Sequence, residues 1–317
     1  MDQLAALLDG PRARGAFLLR CIMDSPWSIR IQDESPLALT AVVRGGAWVV
    51  PEKGEPVHVR PGEVMINRGP DPYVVADDPA TEPQVVVHPG QHCTTPDGES
   101  LSQAMDLGVR SWGNDPNGET VMLIGAYSME GEVSRRLLEA LPPLIVQPGG
   151  PLISLLGAEI VKDEPGQEAV LDRLLDLLLI AVLRSWFATH EAPAWYRAMG
   201  DPVVGKAMRM LHNNPAHPWT VASLAAEVGV SRASLARRFT ELVGEPPMAF
   251  LTDWRLALAA DLLREPDATV GSVARKVGYG SPFALSAAFK RVRGISPQEY
   301  RAGADAWRRT EAGTGGP

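Results

Sequence analysis

Cysteine is nearly absent from this chain: its 317 residues hold two, Cys21 and Cys93. That excludes a small disulfide-stapled scaffold and makes two free thiols in a reducing cytosol the expectation. No His-x-His pair occurs among the six histidines, so a mononuclear metal site built from closely spaced ligands on adjacent strands has no basis in the sequence. Long hydrophobic runs are missing as well. The longest apolar stretch, Leu174 to Leu183, is interrupted by Asp176, ends at Arg184, and falls well short of the ~20 residues that cross a bilayer. No membrane partner is expected. The opening residues, with acidic Asp2 and no small-residue cleavage site, lack the order of a signal peptide, and a cytoplasmic location is expected. Finally, the formal net charge is −8, which at first sight argues against a nucleic-acid ligand.

Dividing the chain at Gly200 changes that reading. Residues 1–200 carry 15 Lys+Arg against 27 Asp+Glu, and residues 201–317 carry 15 against 11, so the balances are −12 and +4. A basic half attracts phosphates while an acidic half keeps the molecule from adhering to DNA indiscriminately. The length itself points to two domains. Up to about Ala126 the chain alternates Gly and Pro with short β-rich runs: Leu39 to Val43, Ala47 to Val50, Val57 to Val59, Val64 to Ile66, Tyr73 to Val75 and Gln84 to Val87. Such punctuation predicts a sandwich or barrel. From Gly131 the spacing turns helical, over Glu132 to Leu141, Leu152 to Val161 and Glu168 to Thr189. The last of these is apolar nearly all round. It either packs on both the barrel and a second copy of the chain or lies wholly inside one core. His190 to Gly200, with Pro193 and little periodicity, reads as a linker.

Residues 220–243 have helix-turn-helix grammar. Thr220 is placed to cap a first helix, Gly229 to make the turn and Ser231 to cap a second. On that second helix Leu235, Phe239 and Leu242 share one face, and Ala233, Arg237 and Thr240 the opposite one. The outward face suits a major groove, where Arg237 can grip guanine O6 and N7; Arg232 and Arg238, nearer the flanks, suit phosphates. Ser234 completes the outward set. The scheme recurs. Thr269 caps, Val270, Val273 and Val277 pack, Gly278 turns, Ser281 caps ahead of Pro282, and Leu285, Phe289 and Val292 pack. Between the copies a helix from Pro247 through Arg264 carries Phe250, Leu251, Trp254, Leu258 and Leu262 on an apolar face. A rigid spacer of this kind would set two recognition helices into successive major-groove segments about 34 Å apart.

These residues resemble the AraC/XylS family of bacterial regulators. The likeness rests on Val277-Gly278-Tyr279-Gly280-Ser281, on Phe289-Lys290-Arg291, on Gly294 through Arg301 and on the spacer Arg255 to Leu263, and it covers roughly residues 202–302. It implies a two-headed reader of double-stranded DNA joined to a sensing or dimerising N-terminal domain. One position departs from the family pattern. Where an arginine is often found on the outward face of the second recognition helix, this chain has Ala287, with Phe283, Ser286 and Lys290 nearby. Alanine makes no hydrogen bond to a base, so the first head is expected to carry most of the specificity.

The strand-rich segment resembles the cupin barrel found ahead of many such heads, with Val59-Arg60-Pro61-Gly62-Glu63-Val64 as a glycine turn before a strand. His58 stands alone and reads as a surface residue. The most chemically loaded stretch runs from His88 to Gly98, and three readings stay open. His92 or His88 lowers the Cys93 pKa and makes a reactive thiolate; His88, His92 and Cys93 supply three zinc ligands without an evident fourth; or the segment is a turn-rich loop with an incidental cysteine. Met1 to Leu4, Cys21 and Trp27 are similar to the cupin-type branch of the family that includes a sensor of reactive chlorine species. That resemblance implies redox sensing through Cys21 and Cys93.

The expectation is therefore a two-domain α+β protein: a cupin-like sensing and dimerising domain over 1–190, a linker over 191–200, an all-α double helix-turn-helix over 201–303 and a disordered tail over 304–317. Its function is a sequence-specific transcription regulator, an activator, controlled by a small molecule or a thiol-redox signal. No catalytic residue and no cofactor is expected, and the partners are DNA, a second copy of the chain, RNA polymerase and an effector. A cupin-type enzyme with an appended DNA-binding module is the alternative. A non-specific architectural DNA protein is disfavoured by the modest +4 of the basic part.

Overall fold

The computed structural model describes residues 17–127 and 131–302. The opening tetrapeptide and the expected tail over 304–317 lie outside the described residues. The described residues fall into two compact units, one made of 17–127 and 138–191 and the other of 131–137 and 192–302.

The first unit is built on strands β1 (Phe17–Met23), β2 (Ser28–Ile31), β3 (Leu37–Arg44), β4 (Ala47–Pro51), β5 (Val57–Val59), β6 (Glu63–Arg68), β7 (Tyr73–Ala76), β8 (Val85–His88), β9 (His92–Thr94), β10 (Ser111–Gly113), β11 (Thr120–Tyr127) and β12 (Leu144–Pro148). They form two sheets, ordered β10-β1-β11-β3-β6-β12 and β5-β4-β7-β2-β8-β9. The six β-rich runs of the sequence coincide with β3 to β8. The near-continuous apolar strand β11 gave no alternating signal because both its faces are covered. Met122, Ile124 and Ala126 line the space between the sheets, while Leu123 is 1 % exposed in the opposite direction.

Helices α1 (Glu132–Glu139), α2 (Pro151–Glu159) and α3 (Gln167–Thr189) follow. Helix α3 lies against the outer side of β11: the Tyr127 hydroxyl donates to the Leu175 carbonyl at 3.1 Å. A Cβ on Gly125 would sit 2.8 Å from the Leu175 methyls, so a residue without a side chain permits this approach. Leu171, Leu175, Leu178, Leu179, Val182, Leu183 and Phe187 are buried. The opposite side of α3 keeps Val170 and Leu177 exposed, and Leu155 of α2 and Val161, two residues after it, are exposed as well.

In the helical unit, helices α4 (Ala194–Ala198), α5 (Val204–Asn213), α6 (Val221–Val228), α7 (Arg232–Val243), α8 (Pro247–Leu263), α9 (Val270–Val277) and α10 (Pro282–Arg293) succeed one another. Two expectations need correction. The stretch read as a linker contains α4, whose Ala198 is fully buried with Trp195 and Met199 packed against the same core. Pro193, taken as a breaker, is the residue at which that helix starts, where a fixed φ and a missing N–H are harmless. Val292, expected to pack, is 48 % exposed, because Tyr300 folds back onto Phe289 with ring centroids 5.5 Å apart and fills that end of the core.

The spacer α8 is shared between two cores. Phe250 and Leu251 join the first, and Leu256, Ala259, Ala260 and Leu263 the second. That explains why its apolar face is so wide. Residues 131–137 also cluster with this unit, although their place in the sequence assigns them to the sensing domain. Asp261 on α8 accepts from the backbone N–H groups of Glu132 and Val133 at 2.6 and 3.2 Å, and Glu132 pairs with Arg293.

Candidate DNA interface and barrel cavity

The two helix pairs are built from the same local chemistry. Thr220 and Thr269 each accept from the backbone N–H three residues on, and Ser223 and Ser272 bond back, closing a capping box. Gly229 and Gly278 end the first helix of each pair at φ +76° and +84°, in the left-handed region where glycine is at home. Ser231 and Ser281 then cap α7 and α10 by accepting from the N–H groups of Ser234 and Ala284. Each such cap contributes about 1 kcal/mol. The second turn is one residue longer, with Tyr279-Gly280 where the first has Val230.

Behind α7 and α10 lie Leu235, Phe239, Leu285 and Phe289, all at 0 % exposure. In front, Arg232, Ala233 and Arg237 are exposed on α7, and Phe283, Ala287 and Lys290 on α10. Ser234 and Ser286 are half-buried. The oxygens of Ser231 and Ser281 accept backbone N–H bonds, which leaves their O–H groups as donors. Arg237 pairs with Glu241, at 3.5 Å and with both side chains exposed. Phe283 is 82 % exposed, the most exposed of the large hydrophobic side chains, on a helix whose neighbouring outward residues are alanines.

Arg238 departs from the expectation of a phosphate contact. Its guanidinium is held by the Asp201 carboxylate at 3.0 and 2.6 Å. Asp201 in turn accepts from the N–H groups of Val203 and Val204 at the start of α5. These bonds and Arg238 together outweigh its partial desolvation and hold its carboxyl below the usual range.

Residues that the sequence showed only as the Gly278 turn and as parts of the family likeness clamp the heads together. Arg255 on α8 donates to the carbonyls of Pro215 and His217 at 2.7 and 2.8 Å and lies 6.0 Å from the centre of the Tyr279 ring. Gly278 abuts the same loop: a Cβ there would fall 2.6 Å from the Ala216 Cα. Arg301 donates to the carbonyls of Pro266 and Ala268. The turn of the second head is thus fastened to the loop that precedes the first.

In the other unit a cavity of about 60 Å³ opens between the sheets, on a measure by which one water needs ~10–15 Å³. Alternate residues of facing strands line it, as the period of a strand requires. Ile29 and Ile31 come from β2, Ala38 and Thr40 from β3, Tyr73 and Val75 from β7, and Met122, Ile124 and Ala126 from β11. Asp33, Gln91 and Cys93 also border it.

The two thiols occupy strands of opposite sheets and border one apolar core. Burial, and then the charge of Cys93, push the Cys21 thiol up to about 12. Burial raises the Cys93 thiol as well. This corrects the reading of a thiolate acidified by His88 or His92. His92 is exposed, His88 bonds to Gln32 and Thr94 at 3.3 and 2.9 Å, and burial is what acts on the Cys93 thiol. Nor do His88, His92 and Cys93 form a metal-binding group: among the described residues no cluster of three or more His, Cys, Asp or Glu is placed to hold an ion. His58 is exposed as expected, with its ring 4.8 Å from that of Trp48.

At pH 8, iodoacetamide is therefore expected to leave Cys21 unmodified until the protein unfolds, and to alkylate Cys93 at least several-fold more slowly than free cysteine; mass spectrometry of timed digests checks both. The same displacement makes the native state lose stability as pH rises from 9.0 towards about 12, because Cys21 ionises in the unfolded chain but not in the folded one. Alkylation of Cys21 at the rate of a free thiol would contradict this.

Comparison with known proteins decides the family. A family described as "Cupin" matches residues 2–188 and one described as "Helix-turn-helix domain" matches residues 224–303. A putative AraC-like transcription regulator of Streptomyces lividans is 32 % identical over 313 residues, which cover 95 % of this chain and 98 % of the relative. The chain belongs to the AraC family of transcription regulators. Also similar is the RCS-specific HTH-type transcriptional activator RclR of Escherichia coli, 26 % identical over 95 % of this chain and 97 % of its own length. The DNA-binding domain of AdpA, solved in complex with a target DNA, is 35 % identical and covers 35 % of this chain and 98 % of that one, with a TM-score of 0.33.

For an AraC-type head the Asp201 pair makes a direct prediction. Arg232→Ala is expected to lower the dependence of log K on log[salt] by roughly 0.9, the value of one phosphate contact. Arg238→Ala is expected to leave that slope unchanged while destabilising the helical unit by at most about 1 kcal/mol, since the pair is partly exposed. Salt titrations of binding and urea melts separate the two.

Proposed function

We propose that this AraC-family regulator is an effector-controlled transcription activator that works as a homodimer and contacts RNA polymerase when bound. The observation that supports it best is the pair of matching helix-turn-helix units fastened to one spacer, with Arg237 outward on the first and Phe283, Ala287 and Lys290 outward on the second. Arg237 reads a guanine, Arg232 and Lys290 hold phosphates, and Phe283 lies against thymine methyl groups. A protein that binds chromosomal promoters works in the cytoplasm. Dimerisation is supported by the exposed aliphatic side of α2 and α3, with Leu155, Val161, Val170 and Leu177 each 44 to 55 % exposed. The body serves as a sensor and not as an enzyme: its cavity is walled almost wholly by apolar side chains and carries no constellation of nucleophile, base and orienting group.

The signal enters through the cavity as a small molecule. A second reading, oxidation, is supported by the two thiols bordering one core. Hypochlorous acid would take two electrons from the pair, forming a Cys21–Cys93 disulfide and releasing water, chloride and a proton. The raised thiol pKa values favour the small-molecule reading.

Titration of the full chain into a labelled fragment from upstream of its own gene, with competitor DNA at fixed salt, tests the proposal. Specific protection of two segments about one helical turn apart is expected. Binding without sequence preference would overturn it. A change in affinity after mild hypochlorite that a thiol reductant reverses, and that Cys93→Ser abolishes, would transfer the signal to the thiols.

A further inference from the structure

The cavity between the sheets has two chemically distinct ends. Its depth is apolar, with Leu19, Met65, Val75, Trp112 and Met122 among its walls. Its polar end gathers Asp33 and Gln91, whose side chains meet at 2.8 Å between the Gln91 amide N–H and the Asp33 carboxylate. The other partners of that carboxylate are also neutral donors, the backbone N–H and hydroxyl of Ser35. Among the described residues the lining contains no Lys, Arg or His. A carboxylate at the edge of an apolar space, held only by neutral groups, creates a negative potential that low-dielectric walls strengthen and that no side chain of the wall offsets.

The backbone at this end is unusual in a second, independent way. Among the described residues other than glycine, positive φ is found at Glu34, Gln91 and Arg110, at 58°, 63° and 47°. One of these three, Glu34, follows Asp33 directly, and another, Gln91, is the partner itself at the end of the turn that joins β8 to β9. Left-handed backbone at residues with a full side chain is unfavourable and persists where the surroundings hold it, which is characteristic of ligand-clamping segments. Here the strained positions set the Asp33 carboxylate and the Gln91 amide at the border of the cavity.

We propose that the effector of this cavity is a compact organic cation, an amine whose apolar body fills the space between the sheets and whose ammonium group is held by the Asp33 carboxylate. This rests on reading the barrel as the sensory site and specifies the ligand class of that site. Gln91 holds Asp33 in place through its amide and accepts an ammonium N–H through its carbonyl oxygen, and Tyr73, whose hydroxyl pKa is raised by burial first and by the Asp33 charge second, borders the same cavity. An anion of the same shape is repelled by that carboxylate, and a neutral alcohol gains the apolar contacts without the ion pair.

Three probes with one body and different heads test it: cyclohexylammonium, cyclohexanol and cyclohexanecarboxylate, titrated calorimetrically into the full reduced chain at neutral pH. The ammonium is expected to bind at least tenfold more tightly than the alcohol, and the carboxylate more weakly than either. Asp33→Asn is expected to abolish the preference for the ammonium while leaving the affinity for cyclohexanol within about twofold. Equal binding of ammonium and alcohol to the native chain, tighter binding of the carboxylate, or an unchanged preference in Asp33→Asn would each overturn the cation while keeping the barrel as the sensory site. Failure of all three probes to bind would overturn the barrel reading as well. The comparison of heads uses the unmodified protein, so it decides the matter even if Asp33→Asn does not fold.

Discussion

Gly278→Ala is expected to disable the helical unit far more severely than Gly229→Ala, although the two glycines occupy the same place in the two helix pairs. Both have positive φ, +76° at Gly229 and +84° at Gly278, so alanine at either adds about 1 kcal/mol of backbone strain. Around Gly229 nothing lies within 4 Å of where an added methyl carbon would sit, whereas at Gly278 that carbon would stand 2.6 to 2.9 Å from the Ala216 backbone. A side chain can rotate away, but backbone that is itself held by Arg255 through Pro215 and His217 cannot do so cheaply. The expected loss at Gly278 is on the order of 3 kcal/mol or more, in the range that marks a broken packing arrangement. Urea denaturation of the two variants gives the comparison. In a gel shift, Gly278→Ala should reduce affinity for a two-segment site towards that of a single-segment site, because the clamp that fixes the second head to the first is lost. Equal destabilisation by both substitutions would show that Ala216 is not held as firmly as its hydrogen-bonded neighbours indicate.

Arg237→Ala is expected to lower affinity for the specific promoter by roughly 5- to 150-fold, the 1–3 kcal/mol that a bidentate guanine contact supplies, with little effect on binding to unrelated DNA. The side chain is exposed, and among the described residues its ion pair is a stretched one with Glu241 at 3.5 Å, weak enough to be exchanged for a base edge. The corresponding truncation on the second helix, Phe283→Ala, removes an apolar contact and is expected to cost less, about threefold to tenfold, and only at sites carrying thymine opposite it. Binding titrations against a specific and a scrambled fragment at one salt concentration measure both ratios. A similar loss on specific and scrambled DNA from Arg237→Ala would assign that arginine to phosphate, and the reading of bases would pass to other residues.

The regularities legible in the sequence are those whose physics is local. Thr220, Gly229 and Ser231, and their counterparts Thr269, Gly278 and Ser281, act on backbone groups within a few residues of themselves. Their order along the chain therefore carries the information. The runs of β3 to β8 were legible from β-rich residues set between Gly and Pro turn signals, which are local as well. Strand β11, covered on both faces, has no alternation to read. Pro193 is ambiguous in sequence because proline both interrupts a helix and begins one.

What only the tertiary structure decided are pairings between residues far apart in the chain. Arg238 has the position of a phosphate contact in the sequence, and Asp201 beside it in the fold takes that role away. Cys93 has activating neighbours in the sequence, and burial in the fold raises its thiol instead, since desolvation is set by the whole core and not by adjacent side chains. Nothing in the spacing of Asp33 and Gln91 announces that they meet at one end of a cavity, or that Gly278 rests on Ala216. By itself the sequence determined that this protein carries two capped helix pairs on a basic half, hence that it binds DNA, because capping and amphipathic spacing are properties of short segments. The fold decided that Arg238 is paired with Asp201 and that Asp33 and Gln91 meet at the border of the cavity, because charge and shape at a site depend on residues that only long-range packing brings together.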